Sequence, residues 1–360
     1  DVGFKQYDGI TISGSDIPGL NKTTVIQAIG DGYIVVPGLF DSNTSQNTPI
    51  TIKRTVPDME FFTESENRLW GCSSEKHEIY ACKLGDPFNW NCYEGISTDS
   101  YAVTIGSDGD FTGAFTFNGL VLFFKEDIIH KVYGNKPSNF QVMGNACRGV
   151  AKGSEKSLAI VNETLYYLSR NGVVGYHGTM PESVSHAFGD ETYTDGVAGS
   201  LGNKYYISMK DRVGNYNLFV LDESLGLWHR EDNLKAKSFV ALEGKLYFIE
   251  ENKIKMMDTG SEIIEWFGET GEFTDRSMFK KYMMRLQFLL ELEQDSVFEI
   301  SISYDGGSWE KVKTISTPGK RSYLVPVKTR RCDYYKIKLS GTGNFKLHGM
   351  TKVYAEGSDI

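Results

Sequence analysis

The strongest constraint on the fold is a hairpin pattern that returns along the chain about every 40 residues, a period typical of β-propeller blades of about four strands each. Its first copy, Asn67–Trp90, reads NRLWGCSSEKHEIYACKLGDPFNW. It has two runs of alternating apolar residues, a polar turn between them, and a tryptophan after a Gly-Asp-Pro turn. Further copies begin at Asn118, Glu163 and Asn203, and the last runs from Gly244 to Trp266. Equivalent apolar positions are 52, 44, 40 and 41 residues apart, at Leu69, Val121, Leu165, Tyr205 and Leu246.

The pattern predicts an all-β protein with three segments. Residues 1–50 form a small β module, a possible insertion, around a hairpin turn at Gly30-Asp31-Gly32. Residues 51–260 hold the propeller blades. Residues 261–360 form a C-terminal β-sandwich of about six antiparallel strands. A helix over Met278–Leu289 is an alternative there. Strict alternation favours a strand with its apolar positions at Met284, Leu286, Phe288, Leu290 and Leu292.

The beginning of the chain bears on whether the propeller ring can close. The chain starts at Asp1 rather than at a methionine, which suggests a fragment of a longer protein. Five hairpin units are clear, and closure of the ring is expected to need strands from further upstream.

Charge and cysteine content narrow the possible partners. The 360 residues carry a net charge of −9, which argues against a surface that grips nucleic acid. The five cysteines are an odd number without CxxC spacing, so neither a disulfide framework nor a zinc site is predicted, and a reducing compartment is the better expectation. Cys72, Cys82 and Cys92 are ten residues apart and are predicted to be cross-strand neighbours. No apolar stretch is long enough to span a membrane.

Residue patterns that signal catalysis are missing from the sequence. There is no GxSxG, HExxH, P-loop or strand-linked GxGxxG motif. The histidines are interpreted as surface or hairpin-edge residues rather than as ligands or bases: His77, His130, His177, His186, His229 and His348. Asp108-Gly109-Asp110 is interpreted as a tight turn rather than a Ca²⁺ site. No catalytic, cofactor-binding or metal-binding residue is predicted.

Acidic and aromatic residues leave a carbohydrate site open. A glycosidase needs two carboxyl groups about 5 to 9 Å apart. Solvated carboxylates are the simpler interpretation of Asp58, Glu60, Glu64 and Glu66. Likewise, blade packing is favoured over sugar stacking for Trp90, Tyr176 and Trp228. Ser303, Asp305, Gly307 and Trp309 resemble the Asp-box hairpin, which is a structural turn, although the tryptophan comes one residue early.

Several long stretches resemble virion proteins of tailed phages and prophages. They include STDSYAVTIGSDGDFTGAF, LFFKEDIIHKVYGNKPSNF, LYYLSRNGVVGYHG and the closing KRSYLVPVKTRRCDYYKIKLSGTGNFKLHGM. The architecture is similar to the tail nozzle, or tail-stabilisation, proteins of short-tailed phages. The resemblance implies a β-propeller in a homo-oligomeric ring around the DNA exit channel, without catalysis or cofactors. Its partners would be other virion proteins, its location the phage tail after synthesis in the bacterial cytoplasm. The passing DNA would not be bound specifically, because an acidic lumen repels its backbone.

Three functions follow as hypotheses. The first is the structural virion protein. The second is a carbohydrate-binding or host-receptor-recognition protein that uses the C-terminal sandwich. Exposed aromatic residues in the sandwich loops would favour it, whereas Trp309 is expected to pack beside a turn. The third is a propeller hydrolase. It needs acids and bases clustered in the central tunnel, and the repeat units show no recurring Asp or Glu at the end of an inner strand.

Overall fold

The computed structural model describes residues 3–17, 19–38, 48–257, 263–275 and 279–356. The chain forms two compact units, Asp1–Asp258 and Thr259–Ile360. Within these ranges the regular structure is all-β apart from three single-turn 3₁₀ helices at Pro137–Asn139, Glu155–Ser157 and His186–Phe188. No helix in the described ranges is long and apolar enough to cross a membrane.

Two small sheets open the first unit. Their strands are β1 (Gly9–Ser13), β2 (Lys22–Val25), β3 (Ala28–Gly30), β4 (Tyr33–Val35) and β5 (Thr51–Arg54). β1 lies between β2 and β5, while β3 and β4 form the predicted hairpin. Ile10, Ile12 and Ile26 form the buried core of this module. Because β5 pairs with β1, the module's sheet continues past residue 50.

Five successive antiparallel sheets form the propeller blades. Blade 1 comprises β6 (Phe61–Ser65), β7 (Arg68–Ser73), β8 (Glu78–Ala81) and β9 (Tyr101–Thr104). Blade 2 comprises β10 (Gly113–Phe117), β11 (Leu120–Phe124), β12 (Ile128–Tyr133) and β13 (Gln141–Ala146). Blade 3 comprises β14 (Ala159–Val161), β15 (Thr164–Ser169), β16 (Gly172–Tyr176) and β17 (Pro181–Ser183). Blade 4 comprises β18 (Thr194–Leu201), β19 (Lys204–Lys210), β20 (Tyr216–Asp222) and β21 (Leu227–Asp232). Blade 5 comprises β22 (Ala236–Leu242), β23 (Lys245–Glu250) and β24 (Lys253–Met256).

Neighbouring blades share their cores. Separate buried clusters join blade 1 to 2, 2 to 3, 3 to 4 and 4 to 5. First strands of neighbouring blades touch, as β6 touches β10 and β18 touches β22, which places these strands innermost. A strand between two neighbours is buried on both faces, and β15, with sequence TLYYLS, is buried along its whole length. The predicted β-propeller is therefore confirmed.

Blade 5 is the exception, because no further blade within the described ranges packs on one of its faces. Val240 and Ile254 on that face are 61% and 76% exposed. No buried cluster of the described residues joins blade 5 to blade 1. The prediction that the last hairpin copy reaches an anchoring Trp266 is wrong, because Trp266 belongs to a strand of the second unit.

The aromatic residues that follow the hairpins pack as predicted. Trp90 and Tyr176 are buried, and Trp228 is half-buried against Phe188. The indole Nε1 of Trp90 donates to Pro87 O at 2.9 Å, and that of Trp228 donates to Val184 O at 2.7 Å. Each indole therefore satisfies its polar atom within the fold. All three rings pack between or beside blades, so they do not form an exposed platform for a sugar.

The cysteine prediction is wrong. Cys72 lies in the core between blades 1 and 2, whereas Cys82 packs with Trp90 on the other side of blade 1. The cross-strand partners of Cys72 are Phe61 and Ile79. An even spacing along the chain does not make cross-strand neighbours, because strand register depends on the turns between the strands.

The second unit is the predicted β-sandwich. Its strands are β25 (Glu265–Glu269), β26 (Lys281–Leu292), β27 (Val297–Tyr304), β28 (Glu310–Ile315), β29 (Gly319–Pro326), β30 (Arg331–Cys332), β31 (Tyr335–Thr342) and β32 (Phe345–Glu356). One sheet has the order β25-β31-β27-β28. In the other, β26 pairs with β29, β30 and β32. Both sheets contribute to one core.

Two details of the sandwich refine the sequence interpretation. β26 is a strand, as expected, but a register irregularity between Met283 and Arg285 turns Met283 into the core and exposes Met284. The Asp-box-like turn is structural. Asp305 accepts hydrogen bonds from the backbone nitrogens of Asp333 at 2.8 Å and Tyr334 at 3.1 Å.

Candidate functional site

A cavity of about 720 Å³ opens where the inner strands of the first three blades begin. Four chain segments form it: the residues around the start of β6, the turn between β7 and β8, the loop that leads into β10, and the loop that leads into β14. Its polar lining comprises Glu60, Ser74, Glu75, His77, Asp110, Thr112, Lys152 and Glu155. We call this the axial cavity. Its lining residues come from three blades, so their convergence is a product of the propeller.

Two of the four carboxylates in the axial cavity are already paired. Glu60 accepts hydrogen bonds from the Ser74 hydroxyl and, at 3.2 Å, from the Ser74 backbone nitrogen. Asp110 forms an ion pair of 3.1 Å with Lys152. Glu75 and Glu155 have no hydrogen-bond or ion-pair partner within the described part of the chain. These two carboxylates are free to accept hydrogen bonds from a ligand.

Thr112 adds a second polar group to the wall of the axial cavity. It is 2% exposed, and its hydroxyl oxygen has no hydrogen-bond partner among the described residues. Its hydroxyl oxygen has almost no accessible surface, so it lies within the packed wall and not on the surface that a ligand in the cavity would touch.

The residues singled out in the sequence are dispersed by the fold. Glu60 lines the axial cavity, whereas Asp58 lines a separate cavity beside Gly9 and Tyr80. Glu64 accepts a hydrogen bond from the Asn67 backbone nitrogen at 3.0 Å. Sequence reasoning missed Glu75 and Glu155, because only blade packing brings these distant residues to one opening.

The prediction that the histidines lie at the surface or at hairpin edges is wrong for His130. It lies inside β12, where it is buried and is hydrogen-bonded through Nε2 to Ser107 Oγ at 2.9 Å. Burial, and secondarily the nearby Lys125 ammonium, lower the pKa of His130 from 6.5 to about 4. The ring is therefore neutral near pH 7 and serves packing. His77, by contrast, is exposed at the edge of the axial cavity.

One cluster of donor atoms lies beside blade 1. The Sγ of Cys92 and carboxylate oxygens of Glu94 and Asp99 are within 4.8 Å of one another. The ammonium of Lys83 donates to Cys92 Sγ at 3.4 Å, and that sulfur lies 3.5 Å from Asp99 Oδ1. Burial raises the pKa of the Cys92 thiol, which favours a thiol that donates to Asp99. Hydrogen bonds and an ammonium group therefore account for this cluster.

The second unit has a different candidate site on the outer face of its first sheet. Phe267 in β25 is 65% exposed, and Trp309, just before β28, is 36% exposed. Lys338 of β31 lies between them, with Nζ 4.9 Å from the centre of the Phe267 ring and 5.8 Å from that of Trp309. Trp309 was expected only to pack beside a turn. We call these three residues the aromatic face.

Polar groups surround the aromatic face. Strand register places Ser340 opposite Phe267 and Ser301 opposite Lys338. Lys338 also forms a 3.0 Å ion pair with Glu269. Neighbouring side chains of β25 point to opposite faces of the sheet. Trp266 packs inward, with its ring centre 4.0 Å from that of Phe345, so Phe267 points outward. The result is an open platform with hydrogen-bonding groups at its margin.

No family model and no curated protein matches this chain. Among solved structures it is similar to an exo-β-1,3-galactanase from Phanerochaete chrysosporium with galactose, at a TM-score of 0.30 and 8% identity over 80% of this chain and 95% of that one. It is also similar to a glycoside hydrolase family 43 arabinoxylan arabinofuranohydrolase from Bacillus subtilis in complex with cellotetraose. That match has a TM-score of 0.25 and 8% identity over 81% of this chain and 94% of that one.

These structures are glycoside hydrolases rather than phage tail proteins. By this comparison the predictions of a structural virion protein and of a protein without enzyme activity are wrong. With TM-scores below one half, no substrate or residue role transfers from these enzymes to this chain. The resemblance to phage proteins, the virion location and partners, and the homo-oligomeric ring are untested by it and stay predictions.

Proposed function

We propose that this protein binds carbohydrate, with the aromatic face of its second unit as the platform on which an oligosaccharide rests. The observation that carries the proposal is the exposure of Phe267 and Trp309 on either side of one ammonium group. This is the second of the three functions that the sequence left open.

Exposed aromatic rings suit this role because they bury apolar area at low conformational cost. A sugar ring has an apolar face that packs on such a ring, while its hydroxyl groups need donors and acceptors at the edge. The aromatic face offers both, since Lys338 donates while Glu269 accepts beside the rings. Both ring centres lie within 5.8 Å of the Lys338 Nζ, so one oligosaccharide can span the two rings.

Contacts of the Lys338 ammonium group also hold the aromatic face in one arrangement. Lys338 makes cation–π contacts with both rings and an ion pair with Glu269, so its side chain is held from several sides. A preorganised platform loses less entropy when it binds a ligand.

A glycan array probed with the full chain tests the proposal. We expect binding to a subset of oligosaccharides, weakened about tenfold or more by Phe267→Ala or Trp309→Ala, the scale of one aromatic stacking contact. The matched control is Leu324→Ala, since Leu324 is exposed on the other sheet of the same unit. Binding that survives both aromatic substitutions, or no glycan binding at all, would overturn the proposal.

A second candidate is glycoside hydrolysis in the axial cavity, favoured by the four carboxylates that line it. In such a reaction one carboxylic acid protonates the glycosidic oxygen while a carboxylate activates water or attacks the sugar. Release of reducing sugar from the glycans that bind, lost in a Glu75→Gln variant and kept in Glu182→Gln, would support it. Bound glycans that stay intact would exclude it.

A further inference from the structure

We infer that the aromatic face selects uncharged oligosaccharides, and that the ion pair between Glu269 and Lys338 is the element that discriminates against charged ones. This inference rests on the proposed function and deepens it, because it names the class of sugar and the residues that set that class. The two residues lie directly opposite each other in the register of β25 and β31.

The ion pair lies beside both rings of the aromatic face. The Nζ atom of Lys338 is 4.9 Å from the centre of the Phe267 ring and 5.8 Å from that of Trp309. The same atom is 3.0 Å from Oε1 of Glu269. The two side chains are 29% and 40% exposed, so a ligand can reach both. An oligosaccharide that spans the rings therefore rests on a positive and a negative group at once.

A charged sugar meets a like charge wherever it sits on this ion pair. The carboxylate of a uronic acid that approaches Lys338 also approaches Glu269, and the ammonium group of an amino sugar that approaches Glu269 also approaches Lys338. Attraction and repulsion at such similar distances largely cancel, while the charged ligand still loses part of its hydration. A charge on the sugar therefore costs affinity at this site.

Charges around the ion pair are balanced or distant. Two further Glu–Lys ion pairs flank it: Glu299 with Lys311, and Glu272 with Lys336. Glu265, the outward carboxylate at the start of β25, lies opposite Thr342. Thr342 is four residues along β31 from Lys338, about 13 Å at the rise of a strand. Salt largely screens exposed charges at that separation, so Glu265 adds little to the charge that a ligand on the rings meets.

Uncharged partners are available beside the rings. Ser340 lies opposite Phe267, and Ser301 lies opposite Lys338. Both serines are half-buried, and neither hydroxyl group has a hydrogen-bond partner among the residues that the structure describes. A serine hydroxyl both donates and accepts, as does the hydroxyl of a sugar. An uncharged sugar can therefore bond to these serines and stack on the rings without breaking an ion pair.

A glycan array of matched oligosaccharides, probed with the full chain, tests the inference. Each neutral oligosaccharide is printed beside two counterparts of the same length and linkage, one with carboxylates at C6 and one with amines at C2. We expect the neutral member of each bound set to bind at least about tenfold tighter than either counterpart, the scale of one poorly compensated polar group. Its affinity should change little with salt, because no net charge is involved.

Two substitutions should move the preference in opposite directions. Glu269→Gln leaves the Lys338 ammonium group without this partner, and it should raise the affinity for the carboxylate member relative to the neutral one about tenfold. Lys338→Met leaves Glu269 unpaired, and it should raise the relative affinity for the amine member by a similar factor. Lys320→Met is the matched control, since Lys320 is an exposed lysine of β29 in the other sheet. It should leave both ratios unchanged.

The outcomes separate this inference from the proposed function. A chain that binds no glycan overturns both. Charged members that bind the wild-type chain as tightly as their neutral counterparts overturn only the inference. The same holds if Glu269→Gln and Lys338→Met shift the ratios in one direction, or no more than Lys320→Met does. The aromatic face would then be a carbohydrate platform whose ion pair does not select the sugar.

Discussion

The aromatic residues of the two units have the same chemistry but different surroundings. In blades 2 and 3, Phe123, Phe124 and Tyr167 are fully buried between neighbouring sheets. On the β25-β31-β27-β28 sheet of the second unit, no described strand of that unit covers Phe267 and Trp309, and both rings are exposed. The difference teaches that an aromatic side chain stabilises this fold where a second sheet covers it, and becomes a candidate binding group where none does.

The largest effect should come from one substitution made in both regions. Phe123→Ala removes a fully buried ring, and we expect it to lower the free energy of unfolding by about 3–5 kcal/mol. Phe267→Ala should change it by about 0.5 kcal/mol or less. Urea unfolding followed by fluorescence measures both. Similar losses for the two variants would break the comparison between the units.

A second pair sharpens the comparison within the propeller. Leu165 of β15 is buried between blades 2 and 3, whereas Leu242 of β22 lies on the open face of blade 5. Leu165→Ala should cost about 2–5 kcal/mol, and Leu242→Ala about 0.5 kcal/mol or less. A large loss for Leu242→Ala, detected by the same unfolding titration, would mean that the open face is covered in solution.

The third pair concerns histidines and pH. The unfolded chain takes up a proton at His130 near pH 6.5, while the folded protein does so only near pH 4. The contribution of His130 is therefore complete above pH 6.5 and is lost as the pH falls from 6.5 to about 4.

Unfolding midpoints measured at pH 7, 6, 5 and 4 should show this loss. His130→Gln should flatten the decline, and the exposed His186→Gln should leave it as in the wild type. An unchanged slope in His130→Gln would show that this imidazole does not titrate as its burial requires.

The smallest expected effect is a difference in the free energy of unfolding between variants of two buried threonines. Thr112→Val deletes an unpaired hydroxyl and should raise the free energy of unfolding by about 1 kcal/mol. Thr164→Val deletes a hydroxyl that lies 3.2 Å from His177 Nδ1 and should lower it by about the same amount. Thermal unfolding of the two variants without ligand distinguishes them. A loss of stability in Thr112→Val would show that its hydroxyl is already paired.

Much of the fold could be predicted because the hairpin signals are local. Asn118 and Gly119 adopt positive φ angles of 49° and 73° in the turn that joins β10 and β11, as an Asn-Gly pair favours. Alternating residues then assign each strand a face. The same local logic identified β26 as a strand but missed its irregularity at Met284, because a register shift depends on the partner strand.

The sites were harder to predict, since they depend on contacts between distant segments. Trp90 and Trp309 both follow turns, yet one is buried and the other is partly exposed. Glu75 and Glu155 are 80 residues apart and meet only through blade packing.

By itself, the sequence determined the secondary structure and its repeat, because turn residues and apolar alternation act over a few positions. Only the tertiary structure decided which faces are covered. It buried His130, exposed Phe267 and gathered four carboxylates around one cavity. The physical reason is that burial and site formation depend on the neighbour across an interface, and the residues of a strand do not encode that neighbour.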